Sequence, residues 1–420
     1  MKPVRSLAQH LAIHAADAPH APALMTAEKS FTWLELLTEA EQLAKKIADR
    51  QEALILHGNS LDLARHAYAC SLKNRAFWPV DRNNCSSNPL PAPATALIIS
   101  TSGSEGAPKA VQLTNRNLAA AATAANQRLP LQLGDLWLAC LPLYHIGGQA
   151  ILWRCAEAGA TVLLHEGFDA TQVAADLSRY PVTHISLVPA MLARLLEIGA
   201  NPPPSLRHAI IGGAALSLVL YERARLAGWP LNPSYGMSES SAQIATWTAA
   251  DGPWQEGLVG TALGENEISL TDDGRIQIRG PQVMAGYLSE TPINPEDWFT
   301  TSDLGKIDPN QRLTVTGRAD DMLISGGRNV HPSEVESCLA ACPGIDDVAV
   351  TGLHDPVWGD LIVALVVTSN TSEDISQWSQ SRLPSAAWPR RIIHLSRLPR
   401  NASGKLERST LRRLASESAS

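Results

Sequence analysis

The sequence predicts an α/β protein, with a large N-terminal domain of layered α/β subdomains plus a small β unit, followed by a small α+β C-terminal domain. Three observations support this fold class. Helical and strand patterns alternate from residue 96 to residue 211, short strands with DDG, RGP and DPNQ turns follow from residue 258, and a compact mixture of helix and strand follows Gly317. Such alternation is typical of parallel strands covered by helices, and the short strands indicate antiparallel pairing. We therefore divide the chain into domains 1–317 and 318–420.

Local patterns define the elements in order. Residues 5–16 and 32–50 have helical periodicity, and Thr32 and Glu35 stand in the spacing of a capping box at the start of the second helix. The other elements are predicted from apolar runs bounded by turn residues. They are strands at 53–58, 96–100, 136–140, 160–164, 183–187 and 208–211, helices at 115–126, 147–158, 171–178 and 189–197, a helix and then a strand at 63–80, and an Asn/Ser/Pro-rich connector at 82–96. After Gly317 we expect a helix, two strands, a further helix and a strand.

Composition excludes several classes of protein. Of the 420 residues, 45% are hydrophobic and 18% are charged. This composition is sufficient for a large hydrophobic core and argues against global disorder. The formal net charge of −7, with 34 Lys and Arg against 41 Asp and Glu, argues against a broad nucleic-acid surface. Polar residues interrupt the most apolar stretch, so we expect no membrane span, and the N-terminus lacks the apolar segment of a signal peptide. Six scattered cysteines without a CxxC pair predict reduced thiols in a cytoplasmic protein.

A loop rich in Gly, Ser and Thr follows the predicted strand at 96–100. Its candidate binding residues are Thr101, Ser102, Gly103, Ser104 and Lys109. Glycines let the backbone approach an oxyanion closely, successive N–H groups and hydroxyls can cradle phosphate oxygens, and a lysine adds positive charge. The GxxxxGK[ST] spacing of the common P-loop is absent. The order of strand, TSGSEGAPK and helix nevertheless predicts a phosphate-binding loop.

Further motifs follow along the chain. They are IIGGAAL at 210–216, SYGMSE at 234–239, TSDLG at 301–305, GRADD at 317–321, SGG at 325–327 and PRNASGK at 399–405. Together with STSGSEGAPKA at 100–110, they are similar to the signature motifs of the adenylate-forming superfamily, which contains acyl-CoA synthetases, luciferases and peptide-synthetase adenylation domains. Glu105 stands where many members have Thr, and Ala110 stands where Gly is common. The resemblance implies activation of a carboxylate by ATP, with release of pyrophosphate.

The resemblance also implies roles for the nucleotide-binding residues. The carboxylate and the triphosphate repel each other, so the site must supply cations, dipoles and orientation. By resemblance, the phosphate loop holds the β- and γ-phosphates, Tyr235 stacks on adenine and Ser238 bonds the α-phosphate. Glu239 holds Mg²⁺, and Asp303 accepts hydrogen bonds from the ribose hydroxyls. The remaining nucleotide-binding candidates are Gly212, Gly213, Ala214, Gly236 and Arg318.

The C-terminal motifs imply a mobile domain. By resemblance, Lys405 is the catalytic cation that neutralises charge as the acyl-adenylate forms. A thiol must later reach the same carbonyl, and in the superfamily the C-terminal domain rotates about a hinge that matches Asp320. After that rotation, Ser325, Gly326 and Gly327 would line the tunnel for the pantetheine arm of CoA.

The stretch LPLYHIGGQAILWRCAEAGA at 141–160 is the candidate acid pocket. By resemblance, His145 occupies the position of the aromatic or His residue that forms a gate near the acyl carboxylate in the family. It is the second catalytic candidate. Gly147 and Gly148 open the predicted helix, whose N-terminal end favours a carboxylate. Arg154 lies nine residues after His145 and is either a second anion site or a surface arginine. The other acid-pocket candidates are Ser186 and Gln243, and Ser241 is a further polar group for the second anion.

Within the superfamily, the sequence is most similar to o-succinylbenzoate–CoA ligases of menaquinone biosynthesis. The likeness implies a ligase that uses ATP, Mg²⁺ and CoA and takes a small carboxylic acid with a second carboxylate. One departure is Arg-Asn-Val-His at 328–331, where Glu-Asn-Ile-Tyr is more typical. Two alternatives stay open: an enzyme that loads an aryl or acyl group onto CoA in another pathway or onto a carrier-protein thiol, and a nucleotide-binding protein without catalysis. A homodimer is also left open.

Overall fold

The structure is a computed structural model that describes residues 4–81, 90–101, 109–355, 358–400 and 406–417. Its helices are α1 (Leu7–Asp17), α2 (Trp33–Lys46), α3 (Ser60–Leu72), α4 (Asn115–Arg128), α5 (Ile146–Ala158), α6 (Ala170–Arg179), α7 (Pro189–Glu197), α8 (Leu218–Leu226), α9 (Pro332–Ala340), α10 (Ser372–Gln380) and α11 (Arg408–Glu417).

Its strands are β1 (Pro22–Met25), β2 (Ser30–Thr32), β3 (Leu54–Leu56), β4 (Phe77–Pro79), β5 (Thr95–Thr101), β6 (Lys109–Thr114), β7 (Leu136–Ala139), β8 (Thr161–Leu164), β9 (His184–Leu187), β10 (His208–Ile211), β11 (Leu231–Met237), β12 (Ala242–Thr246), β13 (Leu258–Ala262), β14 (Glu267–Leu270), β15 (Arg275–Arg279), β16 (Gly286–Tyr287), β17 (Phe299–Ile307), β18 (Leu313–Arg318), β19 (Leu323–Ser325), β20 (Arg328–Val330), β21 (Ile345–Asp355), β22 (Gly359–Thr368) and β23 (Arg391–His394).

The predicted capping box of α2 is present. The backbone N–H of Glu35 donates to Thr32 Oγ1 at 3.3 Å, and the backbone N–H of Thr32 donates to Glu35 Oε2 at 2.8 Å. Two N–H groups without an intrahelical partner are therefore satisfied at this terminus. The apolar side chains that follow at helical spacing are buried, as their periodicity predicts: Trp33, Leu36, Ala40 and Ala44.

The large sheet contains thirteen strands in the order β14-β15-β17-β18-β13-β12-β11-β10-β9-β7-β8-β1-β2. Neighbouring strands from β1 to β11 pair in parallel, which confirms the α/β alternation predicted for this region. The predicted β unit after residue 258 is antiparallel, as expected. It is not a separate sheet, because β12 pairs with β11 on one side and with β13 on the other and so joins the two parts.

The alternation of side chains along the central strands separates two cores. On β7, Trp137 and Ala139 pack with the core that includes α4 and α5. Leu136 and Leu138 pack with the core that includes α6, α7 and α8. The central strands are thus covered by helices on both faces, which explains their nearly continuous apolar sequences.

A second sheet, in the order β16-β6-β5-β4-β3, carries the predicted phosphate loop. Strands β5 and β6 form an antiparallel hairpin in which Thr101 lies opposite Lys109. The hydroxyl of Thr101 donates to the carbonyl of Lys109 at 3.1 Å. Ser102, Gly103 and Ser104 lie outside the described residues, between these two ends.

The third sheet begins after the predicted domain boundary. Its order is β20-β19-β22-β21, and β23 pairs in parallel with β22. The helix, two strands, helix and strand predicted after Gly317 are α9, β21, β22, α10 and β23. The β19–β20 hairpin and α11 are additional elements. Strand β18 ends at Arg318 and β19 begins at Leu323, so the boundary at 317/318, which stays a prediction, lies before the last residue of β18 and close to the start of the third sheet.

Two further observations concern the whole of the described chain. None of the helices in the described ranges combines the length and the apolar character that crossing a membrane requires. The five cysteines in these ranges, Cys70, Cys140, Cys155, Cys338 and Cys342, are free thiols, and Cys85 lies outside them. Burial raises the pKa of Cys70 and of Cys140 to about 12, so both are protonated at neutral pH.

Candidate active site

The carboxylate of Asp303 is the centre of a four-residue network. The hydroxyl of Tyr235 donates to Asp303 Oδ2 at 2.6 Å, and Arg318 Nη1 lies 3.4 Å from Asp303 Oδ1. Arg318 also donates to both carboxylate oxygens of Asp320, from Nε at 2.8 Å and from Nη2 at 2.5 Å. Asp303 and Arg318 lie opposite each other in the register of β17 and β18. The network thus connects three predicted nucleotide-binding residues, Tyr235, Asp303 and Arg318, to the predicted hinge residue Asp320.

The protonation states in this network are well defined. Burial and the negative charge of Asp303 raise the pKa of Tyr235, so its phenol remains a hydrogen-bond donor at neutral pH. The hydrogen bonds with Asp320 and the charge of Asp303 raise the pKa of Arg318 further above its usual range. Tyr235 is 9% exposed and packs with Ile244 and Val259. Its ring is therefore a fixed wall of the site.

A sharp turn between β11 and β12 presents the next predicted ligands. A Cβ on Gly236 would lie 1.9 Å from the carbonyl oxygen of Ala242, so only glycine fits there. Ala242 itself has a φ of 89°. Between these residues, Ser238–Ser240 forms one 3₁₀ turn that holds Ser238 and Glu239 beside Tyr235 in the chain. A left-handed conformation at a residue other than glycine is uncommon and occurs often at functional turns.

The turn that follows β10 contains Gly212, Gly213 and Ala214. Gly213 has a φ of 78°, and a Cβ on Gly212 would lie 2.8 Å from Ser234 Oγ. The hydroxyl of Ser234 donates to the carbonyl of Ile211 at 3.2 Å and so holds this turn against β11. The predicted adenine-side turn and the end of β11 that bears Tyr235 are therefore adjacent, at the carboxyl ends of neighbouring parallel strands. Ligands in α/β sheets bind at such strand ends.

Glu239 lies in a second polar cluster with Tyr287 and Lys109. The hydroxyl of Tyr287 donates to Glu239 Oε1 at 2.9 Å. Lys109 Nζ lies 4.4 Å from the ring centroid of Tyr287 and 3.6 Å from Glu290 Oε1. Burial and the charge of Glu239 raise the pKa of Tyr287, which keeps it a donor. Sequence reasoning missed Tyr287, which β16 brings beside β6.

The described residues contain no group of three or more His, Cys, Asp or Glu side chains that could hold a metal ion by themselves. Among the described carboxylate, imidazole and thiol groups, a cation bound at Glu239 would find fewer than three ligands, so substrate oxygens could complete its coordination. Mg²⁺ is bound in this way by one or two carboxylates together with substrate phosphates. The single carboxylate of Glu239, near Lys109 at the base of the phosphate loop, fits that arrangement.

The N-terminus of α5 forms the predicted acid-binding end of the pocket. His145 is the N-cap residue, its side chain makes no capping hydrogen bond, and its ring lies 4.7 Å from the ring of Tyr144. The first N–H groups of a helix carry partial positive charge that favours a carboxylate. Gly148 permits close packing here, since a Cβ would lie 2.4 Å from the carbonyl oxygen of Pro142. Gly147 has more room, because its Cβ would meet only Leu141 Cδ1, at 3.1 Å.

Arg154 is buried, which excludes the interpretation as a surface arginine. It is 3% exposed, and its Nε has no hydrogen-bond partner in the structure. No ion pair joins it to a carboxylate of the described residues, and the nearest aromatic group is Trp137, whose ring centroid lies 5.6 Å from its Cζ. Burial lowers its pKa to about 10, so it is still charged at neutral pH. A buried cation without a partner anion is energetically costly and indicates a site for an anionic ligand.

The other acid-pocket candidates are buried near the same region of the sheet. Ser186 follows His184 on β9, and Gln243 on β12 donates from Nε2 to Thr246 Oγ1 at 2.8 Å. Gln243 Oε1 has no partner. The hydroxyl of Ser241 donates to the carbonyl of Gln282 at 2.8 Å, so its proton is used in a hydrogen bond within the protein. No hydrogen bond within the described ranges joins Arg154 to Ser186 or Gln243.

The C-terminal candidates lie on separate parts of the third sheet. Ser325, Gly326 and Gly327 form the tip of the β19–β20 hairpin, where both glycines have positive φ, of 56° and 74°. The backbone N–H of Gly326 donates to the carbonyl of Trp358 at 2.9 Å. Of the unusual residues 328–331, the first three form β20 and His331 is the N-cap residue of α9. Residues 325–327, the predicted tunnel lining, thus form a hairpin turn.

Lys405 lies outside the described residues, but both ends of its segment are anchored. Arg400 and Leu406 form an antiparallel bridge across residues 401–405. Arg400 Nη2 lies 2.9 Å from Asp347 Oδ1. Arg408 pairs with Glu336 at 2.7 Å and lies 3.6 Å from Asp321, next to the predicted hinge. The tail that carries Lys405 is therefore attached to the third sheet and to the hinge segment.

Comparison with known proteins identifies the family of this chain. The profile of the AMP-binding enzyme family matches residues 46–288, and that of the AMP-binding enzyme C-terminal domain matches residues 334–405. The chain is 36% identical over 334 residues to 2-succinylbenzoate–CoA ligase of Bacillus subtilis (strain 168), covering 76% of this chain and 69% of that one. It is 37% identical over 335 residues to 2-succinylbenzoate–CoA ligase of Bacillus velezensis, with the same shares covered.

Solved structures show the same likeness over nearly the whole chain. The o-succinylbenzoate CoA synthetase of Bacillus subtilis, in complex with its acyl-adenylate intermediate, superposes with a TM-score of 0.83 at 29% identity, covering 96% of this chain and 97% of that one. Its complex with ATP and magnesium ion gives 0.82 at 30% identity, with 96% and 98% covered. ATP-bound MatB of Rhodopseudomonas palustris, at 21% identity, shares the fold with a TM-score of 0.87, over 98% and 100% of the two chains. The chain belongs to the AMP-binding enzyme family, which confirms the predicted adenylate-forming fold of a large N-terminal and a smaller C-terminal domain.

Proposed function

We propose that this protein is an ATP-dependent acid–CoA ligase that acts through an acyl-adenylate and that its acid is o-succinylbenzoate, in menaquinone biosynthesis. The observation that carries the choice of acid is the buried guanidinium of Arg154 without a partner carboxylate, in a chain whose named relatives act on this acid. o-Succinylbenzoate has two carboxylates, one on a flexible succinyl arm and one on the aromatic ring. One is activated, and the other needs a cation within the pocket.

The two groups proposed to bind the carboxylates, the N-terminus of α5 and Arg154, are separated by about two turns of the helix. Arg154 lies eight residues after Ile146, the first residue of the helix, which places its backbone about 12 Å from the helix N-terminus. Helical side chains lean toward the N-terminus, so the guanidinium lies closer to His145 than its backbone does. A short dicarboxylic acid can then place its succinyl carboxylate at the N-terminus of α5 and its aromatic carboxylate on Arg154.

In the first half-reaction, an oxygen of the succinyl carboxylate attacks the α-phosphorus of ATP, and the bond to pyrophosphate breaks. Tyr235 and Asp303 orient the nucleoside, since their mutual hydrogen bond fixes the ring beside the carboxylate that accepts from the ribose hydroxyls. The N–H groups of α5 and His145 hold the attacking carboxylate. Lys405 neutralises the charge that develops between the two anions. Glu239 would hold Mg²⁺, which would supply positive charge to the phosphates.

In the second half-reaction, the thiolate of CoA attacks the acyl carbonyl carbon, and the carbon–oxygen bond to AMP breaks. The thiol proton leaves to solvent and AMP is the leaving group. Rotation at Asp320 withdraws the Lys405 tail and brings the Gly326–Gly327 turn to the carbonyl. In the structure Asp320 is held by Arg318, so rotation has to break this ion pair. The free thiols of the described cysteines support a cytoplasmic location for this chemistry.

The test is the detection of acyl-CoA products by mass spectrometry. The purified chain is incubated with ATP, Mg²⁺, CoA and separate acids: o-succinylbenzoate, benzoates and medium-chain fatty acids. We expect o-succinylbenzoyl-CoA as the dominant product, with AMP and pyrophosphate formed in equal amounts. A preferred product from another acid would contradict the proposed substrate. Acyl transfer only to a carrier-protein thiol would contradict CoA as the acceptor, and absence of any acid-dependent pyrophosphate would contradict catalysis.

A further inference from the structure

Three aromatic side chains form a continuous row beneath α5. Trp137, His184 and His208 lie side by side on the adjacent parallel strands β7, β9 and β10, in one register row. The ring centroids of Trp137 and His184 are 5.0 Å apart with an interplanar angle of 25°, and those of His184 and His208 are 5.0 Å apart with an angle of 44°. Trp137 is 2% exposed and His184 is fully buried.

Hydrogen bonds hold the two histidines of the row. Thr183 Oγ1 donates to the carbonyl of Leu136 at 3.0 Å, so its proton is used, and it accepts from His184 Nδ1 at 2.9 Å. His184 therefore carries a proton on Nδ1, and because burial lowers its pKa to about 3, the imidazole is neutral at neutral pH. His208 Nδ1 lies 3.0 Å from Asn232 Oδ1. The position of the imidazole beside Trp137 is therefore fixed by the backbone of β7 itself.

Arg154 approaches this row from α5. Its Cζ lies 5.6 Å from the ring centroid of Trp137, within the range of a cation–π contact, and this is the contact that the structure gives its guanidinium. No ion pair within the described ranges orients this guanidinium, so the indole face of Trp137 is the contact from which we argue its orientation. Because His184 is uncharged, it stacks on the indole without repelling the nearby guanidinium, whereas a charged imidazole would raise the cost of burying Arg154.

We infer that Trp137 and His184 are positioning residues that hold the guanidinium of Arg154 ready for the second carboxylate of the substrate. The inference rests on the proposed function, because the anion that Arg154 receives is the aromatic carboxylate. Sites for charged ligands need such supporting contacts, since binding affinity falls when a side chain must be ordered at the moment of binding. The row contributes no group to the bond-forming steps.

The test compares two acids that differ by one carboxylate, o-succinylbenzoate and 4-oxo-4-phenylbutanoate. The readout is the ratio of kcat/KM for the first acid to kcat/KM for the second. In Trp137→Leu we expect this ratio to fall about 5- to 20-fold, the range of a desolvated cation–π contact. In Trp137→Phe, which keeps an aromatic face, we expect a fall of about threefold or less. Trp33→Leu is the matched control. Trp33, on α2, is also a buried tryptophan (1% exposed), and its ring centroid lies 4.9 Å from that of a histidine, His14, but it belongs to a different element from the Trp137 row.

A double-mutant cycle separates positioning from general support of the fold. If Trp137 acts through Arg154, the ratio in Trp137→Leu/Arg154→Ala equals that in Arg154→Ala alone. The inference is overturned if Trp137→Leu lowers kcat/KM for both acids equally, as expected of Trp33→Leu, or if the two substitutions lower the ratio independently. Failure of the proposed function gives a different result, since the wild-type protein would then show no preference for o-succinylbenzoate.

Discussion

The hydroxyl of Tyr235 and the carboxylate of Asp303 are joined by a 2.6 Å hydrogen bond, although 68 residues separate them in the sequence. This bond connects strand β11 to strand β17. It fixes the ring proposed to stack on adenine and the carboxylate proposed to bind ribose as one unit. Arg318 extends the unit to Asp320, so the nucleotide site and the hinge share a charged side chain.

Asp303→Ala is expected to raise the KM for ATP at least about tenfold, because it removes an acceptor for charge-assisted hydrogen bonds. Tyr235→Phe removes only the internal bond. We expect it to lower the free energy of unfolding by about 1 kcal/mol and to change the KM for ATP much less. Steady-state kinetics and denaturant unfolding of both variants provide the measurement. Equal KM values for ATP in wild type and Asp303→Ala would show that Asp303 does not bind the nucleotide.

Gly148 and Gly147 form a matched pair at the N-terminus of α5. Gly148→Ala places a Cβ 2.4 Å from a backbone oxygen, so the helix start must shift, at a cost of about 1–3 kcal/mol in unfolding free energy. We expect this variant to have a higher KM for the acid and an unchanged KM for ATP. Gly147→Ala meets only a flexible leucine methyl group and should behave as wild type. If both variants show the same KM for the acid, the N-terminus of α5 does not bind it.

Buried histidines predict loss of stability in mild acid. Burial lowers the pKa of His184 to about 3 and that of His10 to about 4, both from an ordinary value of 6.5. The unfolded chain therefore binds more protons than the folded one below pH 6.5. The stability due to each group is complete above that pH and is lost at up to about 1.4 kcal/mol per pH unit as pH falls toward the folded-state pKa.

His184→Phe keeps an aromatic ring in the row and removes the titrating group. We expect its free energy of unfolding to fall less steeply between pH 6.5 and pH 4 than that of wild type. Urea unfolding at several pH values provides the comparison, and the two proteins should be compared by slope, not by absolute stability. Parallel pH profiles would show that His184 is protonated in the folded protein.

Arg154→Ala is expected to raise the KM for o-succinylbenzoate about 10- to 100-fold, the effect of losing hydrogen bonds to a charged group. The KM for 4-oxo-4-phenylbutanoate should change about threefold or less, since that acid lacks the aromatic carboxylate. Arg194→Ala serves as the control, because Arg194 is an exposed arginine on α7. An equal rise in KM for both acids would exclude Arg154 as the second anion site.

Periodicity and motif order predicted much of this fold, but not the elements that depend on distant partners. Strand β11 has the sequence LNPSYGM, in which Asn, Pro and Gly disfavour a strand, and it forms because β10 and β12 pair with its two edges. Strands β19 and β20 have three residues each, too few for an alternating pattern. The capping box of α2 was predictable, since it depends on residues three apart.

The same distinction holds at the site. The residues of the nucleotide motifs were predicted because each motif is contiguous in the sequence. Three other residues were not predicted, because their contacts join segments that are distant in the sequence. These contacts are Tyr287 with Glu239, Trp137 with Arg154, and His184 with Trp137. The burial of Arg154 could not be predicted from the sequence either, because a single arginine on a predicted helix is equally compatible with a surface position.

The most direct test of the account measures both half-reactions in Lys405→Ala. The first is exchange of labelled pyrophosphate into ATP with o-succinylbenzoate and without CoA, and the second is formation of acyl-CoA from preformed acyl-adenylate. We predict that exchange falls about 100-fold or more, the scale of losing one group that stabilises developing charge, while thioester formation stays near the wild-type rate. An equal loss in both half-reactions, or wild-type exchange in the variant, would contradict a cation that acts in adenylation alone.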